Sequence, residues 1–277
     1  MITVLGATGN VGSQVVTELA DAGEDVRAVS RRSGFRGDIA DPDFLRRALD
    51  GADAAFVLLP MDVTAPGYAC HQARLGSSIT EALRATGVPR VVALSSLGAE
   101  VPGGPDLATT GYLGSLHEQE ERLATLDAQV TRLRPGMFLE SFLWSLQIMC
   151  EHGMHADSID PGVALPMVAT RDVGRAAATA LLTPDAPAVV ETQGAADRTV
   201  PEVVTALGAR LGLPELGYVR LPDEEMENVL QRAGMPADSA RLHVAMNRAF
   251  NEGRVRAHGP RTGEALTVEQ WAAELPL

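Results

Sequence analysis

The sequence predicts an α/β protein, a doubly wound parallel sheet with a small, mainly helical C-terminal lobe. Three observations predict it. Short apolar runs alternate with amphipathic helical stretches through the first half. A glycine-rich turn separates the first run from the first helical stretch. From about Thr199 onward the pattern turns mostly helical. Strands so continuous in apolar residues need cover on both faces, which is the condition of a parallel sheet.

The elements follow in order. "ITVL" is the first strand, and Asn10–Ala22 a helix with Val11, Val15, Val16, Leu19 and Ala20 on one face and Gly23 as its stop. "DVRAVS" is the second strand, and Pro42–Leu49 a short helix with proline in its first turn. "DAAFVLL" is a strand, Ala69–Ala85 a helix ended by Gly87, and "RVVALSS" a strand. A helix over Leu113–Leu126 leads to the strand "QVTRLR". After Pro135 the pattern loosens. Phe138–Cys150 reads as helix, "TRDVGRAAATALL" as a helix capped by Thr170, and "AVVET" as a late strand. "VPEVVTALGARLG", "LPDEEMENVLQRAG" and "PADSARLHVAMNRAFNEG" supply the lobe's helices. No long linker, repeat or low-complexity tract interrupts the chain.

Composition narrows the function. The chain has 277 residues and a formal net charge of −13, which argues against a nucleic-acid surface. All 23 basic residues counted as Lys+Arg are arginines, from Arg27 to Arg261, so the chain contains no lysine. Any catalytic lysine, Schiff base or Walker-type phosphate lysine is thereby excluded. No apolar run approaches the ~18 residues of a membrane span. Cys70 and Cys150 form neither a disulfide framework nor a CxxC pair, and Met1 opens directly on a strand without a basic leader, so the cytoplasm is the expected location.

"VLGATGNVGSQVV" sets Gly6, Gly9 and Gly12 between a strand and a helix. The first glycine permits a tight turn, the second brings backbone N–H groups to a pyrophosphate, and the third lets helix and strand pack closely. Thr8, Asn10 and Val11 complete the loop, and the helix N-terminus faces the anion. This is the Rossmann-type dinucleotide fingerprint in its confirming context. The second strand ends in "VSRRSGFRGD", where Ser30, Arg31 and Arg32 stand in place of the carboxylate that binds an NAD ribose. Arginine suits a 2′-phosphate, so NADP(H) is the expected cofactor. Asp38 is a candidate adenine-edge acceptor. The chain divides as an NADP-binding Rossmann core over 1–150 and, over 151–277, the remaining sheet elements with a closely packed substrate lobe.

These residues resemble the NmrA-like branch of the atypical short-chain dehydrogenases, and the resemblance covers most of the chain. "GATGNVG" is similar to the family's GATGxxG, "GDIADPDFL" to its GDxxDxxSL, and "SSLGA" and "TRLRPGMFLESF" to its SS-x-G and T-x-LRP-G-x-F-x-E-N-F motifs. "VATRDVGRAAATAL" and "GPRTGEALTVEQW" resemble its later segments. Ser141 stands where many members carry asparagine. The resemblance implies NAD(P)H-dependent quinone and isoflavone-type reductases or redox-sensing regulators.

Typical short-chain dehydrogenases carry a tyrosine and, four residues on, a lysine. Here Leu116 stands four residues after Tyr112. The resemblance to quinone-reductase-like members places His117 at the catalytic-helix position, with Glu121 one turn on. Residues i and i+4 share a helix face, so the carboxylate could steady the imidazole. A histidine, with an ordinary pKa of ~6.5, suits proton donation near neutral pH. Tyr112 lies ~140° from His117 on a continuous helix, so the two act together only if the helix begins after Tyr112. Leu59, Pro60, Ser95 and Pro135 are expected along the cofactor, and Ser96, Met137 and Phe138 beside the substrate. Each of these also fits a plain strand end or core position.

"CEHGMHAD" holds Cys150, His152, His155 and Asp157, but at no standard zinc spacing, so no metal is expected and the segment reads as a solvent-facing loop or lid. Met226, Val229, Leu230 and Ala233 read as a packing stripe. The expected activity is an NADPH-dependent reductase acting on a quinone, enone, imine or ketone. The alternative is a non-catalytic NADP(H) sensor that controls a protein partner. A small-molecule substrate is the expected partner, with no nucleic acid and no membrane, and homodimer formation is left open.

Overall fold

The computed structural model describes residues 1–100, 107–261 and 264–276. Thr262 and Gly263 of the C-terminal motif lie outside the described residues. The first half runs β1 (Ile2–Leu5), α1 (Asn10–Asp21), β2 (Val26–Ser30), β3 (Phe35–Arg36), α2 (Pro42–Leu49) and β4 (Ala54–Val57). Then come α3 (Tyr68–Thr86), β5 (Arg90–Leu94), α4 (Leu107–Thr110), α5 (Leu113–Leu123), β6 (Gln129–Pro135) and β7 (Met137–Phe138). A 3-10 helix (Leu139–Ser145) leads into α6 (Leu146–His152), β8 (Met154–Asp157), β9 (Ala164–Val168), α7 (Thr170–Leu182) and β10 (Val189–Thr192). The chain closes with β11 (Asp197–Thr199), α8 (Val200–Leu211), β12 (Gly217–Arg220), α9 (Asp223–Arg232), α10 (Ala237–Asn251) and α11 (Val268–Glu274).

Seven strands form one parallel sheet in the order β10-β6-β5-β4-β1-β2-β3. The order reverses between β1 and β4, and that switch point opens a crevice at the strand ends. Ile2, Val4, Phe56 and Val92 point to one face, where α1 and α7 bring Val15, Leu19, Val173 and Leu181. Leu5, Val29, Ala55 and Val91 point to the other, met by Leu45 and Leu49 of α2, Ile79 and Leu83 of α3 and Leu123 of α5. Each fully buried leucine or phenylalanine contributes about 1.5–3 kcal/mol. The lobe has its own core, in which Phe142, Met149, Leu165, Val203, Leu207, Phe250 and Trp271 pack together.

Local chemistry sets the boundaries. Asp41 caps α2 through the Asp43 N–H, with Pro42 in the first turn. Thr199 with Glu202 and Thr267 with Gln270 form capping boxes at α8 and α11.

Four expectations need correction. Phe138–Cys150 is helical from Leu139 onward, but as two successive helices, and Phe138 itself belongs to β7. Ser141 and Ser145 turn their hydroxyls onto the Phe138 and Phe142 carbonyls at 2.6 and 3.0 Å, three residues back, and the first half is 3-10. Thr170 does not cap α7. The cap position is Ala169, and the Glu140 carboxylate accepts the Thr170 N–H at 3.0 Å from another element. The "CEHGMHAD" segment is not a loop, because residues 154–157 form β8 in parallel with β12. Of the stripe on α9, Met226 is buried while Val229 and Ala233 are exposed.

Candidate active site

The crevice begins where β1 ends. Gly6 takes a left-handed φ of 69°, and the Ala7 N–H donates to the Val29 carbonyl at 3.0 Å, tying the turn to β2. Gly9, extended, is the cap residue of α1 and supplies no side chain to the helix's first N–H groups. Thr8, Gly9 and Asn10 are exposed, and Val11 is buried beneath them. Gly12 admits nothing larger, since a Cβ would lie 2.2 Å from the Gly6 oxygen. The outcome is a set of unspent donors at a helix N-terminus, aimed into the crevice. Across it, Leu58, Leu59 and Pro60 are half-buried after β4, and Gln72 donates to the Pro60 carbonyl at 2.8 Å. Ala7, Leu58, Leu94 and Phe138 pack on one core cluster and give the crevice an apolar floor.

At its outer end, Ser30 builds a tight turn. Its hydroxyl donates to the Ser33 carbonyl at 2.7 Å and accepts the Arg32 and Ser33 N–H groups. Arg31 and Arg32 stand exposed on that turn, and neither guanidinium has a hydrogen-bond or ion-pair partner among the described residues. Arg36 on β3 lies in register with Ser30 and is likewise exposed. Sequence reading passed over Arg36, because a two-residue strand has no period to reveal it. Asp38 is exposed, and its carboxylate accepts the Ala40 N–H at 2.9 Å, so it shapes its own turn.

Over the ends of β5 and β6 the character changes. Ser95 is buried and donates to Glu120 Oε1 at 2.6 Å. Glu120, 4% exposed, also receives the Arg134 fork at 2.9 and 2.6 Å, with Arg132 at 3.5 Å. The Glu120 hydrogen bond holds the Arg134 guanidinium still more firmly protonated. Sequence reading missed this pair, since "HEQEER" looks like a solvated helix face. Ser96 is half-buried and donates to the Leu97 carbonyl at 3.0 Å, and buried Pro135 accepts the Leu97 N–H at 2.9 Å.

The predicted catalytic trio is not brought together. His117 is half-buried, with Nδ1 2.8 Å from the Ala99 carbonyl. A carbonyl only accepts, so Nδ1 carries a proton and Nε2 is the free nitrogen. Glu121 is exposed and makes no hydrogen bond to His117 among the described residues, so the Ala99 carbonyl orients the ring instead. Helix α5 does begin after Tyr112, yet Tyr112 is 2% exposed and donates to the Ser239 carbonyl at 2.8 Å. Its ring packs on Tyr68, and burial pushes its phenol above the usual value. Tyr112 fastens α10 to the sheet domain. Leu116 packs on the lobe core, as does Met137, while Phe138 faces the crevice floor.

In the lobe, Cys150 and His152 are exposed but His155 and Asp157 are buried. Ser145 donates to the Phe142 carbonyl, so it accepts from His155 Nδ1 at 2.8 Å. Burial pushes the His155 ring below the ordinary histidine value. Asp157 accepts from the Ser158 N–H at 2.7 Å, Asn247 at 2.6 Å and, at 3.4 Å, faces His243. Burial opposes its charge, yet His243, the Ser158 N–H and His155 hold its carboxyl below the usual carboxylate range. These four side chains do not converge on one point.

A family model described as the NmrA-like family matches residues 1–271. The NAD(P)H azoreductase of Xenophilus azovorans is 27% identical over 263 residues, covering 90% of this chain and 86% of that protein. An NADPH-dependent quinone oxidoreductase of Escherichia coli, solved with NADPH, has a TM-score of 0.78 at 20% identity, with 98% of each chain covered. The triphenylmethane reductase of Citrobacter sp., solved with NADP(H), has a TM-score of 0.76 at 19% identity, with 99% of this chain and 98% of that one covered. These likenesses extend over both the sheet and the lobe.

Proposed function

The chain belongs to the NmrA-like family, and we propose that it is an NADPH-dependent reductase that transfers a hydride to a small organic acceptor such as a quinone, enone, imine or ketone. It lacks the Tyr-x-x-x-Lys pair of typical short-chain dehydrogenases. The observation that carries the reading is the crevice itself: a helix N-terminus without a side-chain cap at one point and, at another, two adjacent arginines with no partner among the described residues. In a chain of net charge −13, such a concentration of unspent donors suits a ligand with several phosphates. The residues fit the cofactor, which when bound supplies the hydride.

The loop Gly6–Gly12 holds the pyrophosphate with backbone N–H groups. Arg31 and Arg32 hold the 2′-phosphate, and Leu59, Pro60 and Pro135 line the path between the ends. Phe138, Leu58 and Leu94 keep water from the floor, where a reactive carbon needs exclusion and placement more than covalent help. His117 is the proton donor of this reading. The Ala99 carbonyl keeps the Nδ1 proton in place, so Nε2 is the nitrogen through which a proton would pass to the acceptor. Ser96 and Met137 lie on the acceptor side. The two exposed, unpaired cysteines suit a reducing compartment, the cytoplasm.

A non-catalytic sensor would use the same crevice, and one observation favours it: Tyr112 is committed to Ser239 and Leu116 to the core, leaving one proton donor. The reductase names of the family relatives weigh on the other side. The test is NADPH oxidation by the pure protein with a panel of quinones, enones, imines and ketones. Turnover establishes the reductase. Tight NADPH binding without turnover on any acceptor transfers the reading to the sensor.

A further inference from the structure

His117 is aimed by one carbonyl, and the structure shows what holds that carbonyl in place. Ala99 is buried and stands third in a tight turn over 97–100. The turn is tied at its start. The Leu97 N–H donates to the Pro135 carbonyl at 2.9 Å, and the Ala99 N–H to the Ser96 carbonyl at 3.2 Å. Gly98, with a left-handed φ of 89°, has Leu113 and Val255 so close that a Cβ would lie 2.8 and 2.9 Å from them. At its end the turn is closed by a side chain. Glu100 Oε1 folds back to accept the Gly98 N–H at 3.3 Å, and Oε2 faces Arg134 Nη1 at 3.4 Å.

Arg134 joins this turn to the cofactor side of the site. Its Nε and Nη2 donate to Glu120, and Glu120 accepts the Ser95 hydroxyl. Its remaining nitrogen, Nη1, meets Glu100. One guanidinium between two carboxylates therefore braces both ends of the stretch after β5: Ser95 at one end, and at the other the Ala99 carbonyl, 2.8 Å from His117 Nδ1. Glu100 has no other employment that explains it. Oε2 is buried and makes no hydrogen bond among the described residues, only the ion pair with Arg134. A buried oxygen left without a hydrogen bond is costly to keep. His258, exposed, faces Oε1 from the C-terminal segment at 3.8 Å. A carbonyl free to move would let the imidazole turn and exchange tautomers, because the partner of one ring nitrogen decides which nitrogen carries the proton.

We propose that Glu100 is a positioning residue for the proton donor: braced on Arg134, its carboxylate fixes the turn, and with it the Ala99 carbonyl that sets the tautomer and direction of His117. That the positioned ring serves turnover rests on the reductase reading above, while its tautomer does not. The test combines heteronuclear NMR of the histidine rings with steady-state reduction of menadione, or of whichever acceptor of the panel above is turned over best. It uses the wild type, Glu100→Ala, Glu100→Gln, His117→Ala and the double variant Glu100→Ala with His117→Ala. His117→Ala identifies the His117 signals by their loss. In the neutral ring, wild-type His117 is expected as the Nδ1–H tautomer, and Glu100→Ala should move it towards the Nε2–H form that a free imidazole prefers. Glu100→Gln keeps an oxygen for the Gly98 N–H and should restore most of the wild-type form. Glu100→Ala is expected to lower kcat about tenfold at unchanged NADPH affinity, the cost of a misplaced group. Once His117 is alanine, the same change should cost less than ~twofold, because both substitutions remove one function. A wild-type ring in the Nε2–H form, or a tautomer indifferent to Glu100→Ala, overturns the proposal whether or not any acceptor is reduced. A tautomer that shifts in a protein that reduces no acceptor of the panel keeps the positioning and overturns the reductase. Equal losses of kcat from Glu100→Ala with and without His117 overturn its role in turnover.

Discussion

The two ends of the crevice are built on opposite plans. Around β1 and β2 the donors are unspent: the first turn of α1 has no side-chain cap, and Arg31 and Arg32 have no protein partner among the described residues. Around β5 and β6 the polar groups are engaged. Ser95, Glu120 and Arg134 consume one another, Tyr112 is given to Ser239, and His117 is steadied by Ala99. Groups left open confer affinity for a charged ligand, because nothing must be broken when it arrives. Groups already satisfied confer geometry, because each fixes the direction of its neighbour.

Substitutions should therefore separate the two ends, and the largest effect belongs to the closed one. Glu120→Ala leaves the half-buried Arg134 with only the Glu100 carboxylate, 3.4 Å away, and is expected to lower stability by about 3 kcal/mol, read from chemical denaturation. A loss below 1 kcal/mol would mean that the pair is solvated in solution. His117→Ala acts next, lowering turnover about 100-fold while NADPH affinity stays constant in a fluorescence titration. Unchanged turnover would assign the proton to water. At the open end, the double change Arg31→Ala with Arg32→Ala should weaken NADPH binding about 10- to 100-fold, leave NADH binding unaltered, and shift the melting temperature little. Equal losses for both cofactors would move the 2′-phosphate elsewhere. The smallest effect is Glu121→Gln, which should change stability by less than about 0.5 kcal/mol and turnover not at all.

Acidity discriminates as well. Burial places the folded-state pKa of His155 below the ~6.5 of an unfolded histidine, so protons prefer the unfolded chain. Its contribution to stability is complete above that value and declines as the pH drops through it toward the folded value. Asp157, also depressed, extends the loss into the carboxylate range. Unfolding midpoints measured from pH 8 to pH 4 should thus fall below about pH 6.5, and His155→Gln should flatten the upper part of that decline.

The sheet was legible in the sequence because β1, β4 and β5 are almost wholly apolar and because α1, α2 and α3 end within two residues of Gly23, Gly51 and Gly87. Helix α1 ends one residue before its predicted last residue, Ala22, and α3 is one residue longer at each end. Elements below three residues, such as β3 and β7, have no period and were missed. The segment after Pro135 deceived because serine–backbone contacts, not side-chain spacing, decide between 3-10 and α. The open end of the site was readable, since Gly6–Gly12 and Ser30–Arg32 are each contiguous. The closed end was not. Glu120 meets Ser95 and Arg134 across 25 and 14 residues of chain, and the i, i+4 rule pointed instead to Glu121. Both glutamates lie within a turn of His117, and only the packing of α5 on the sheet decides which one faces inward.

The packing of α1 against α7 bears on how the chain is made. The principal neighbour of helix α1 lies roughly 160 residues downstream, and at ~5–20 residues per second α1 leaves the ribosome about 8–32 s before it. During that time Val11, Val15 and Leu19 lack the cover of α7, and β10 has not yet closed its edge of the sheet. Nascent chains stalled before Thr170 should accordingly be bound by holdase chaperones and digested by protease, and those stalled well beyond Thr192 should be resistant to both.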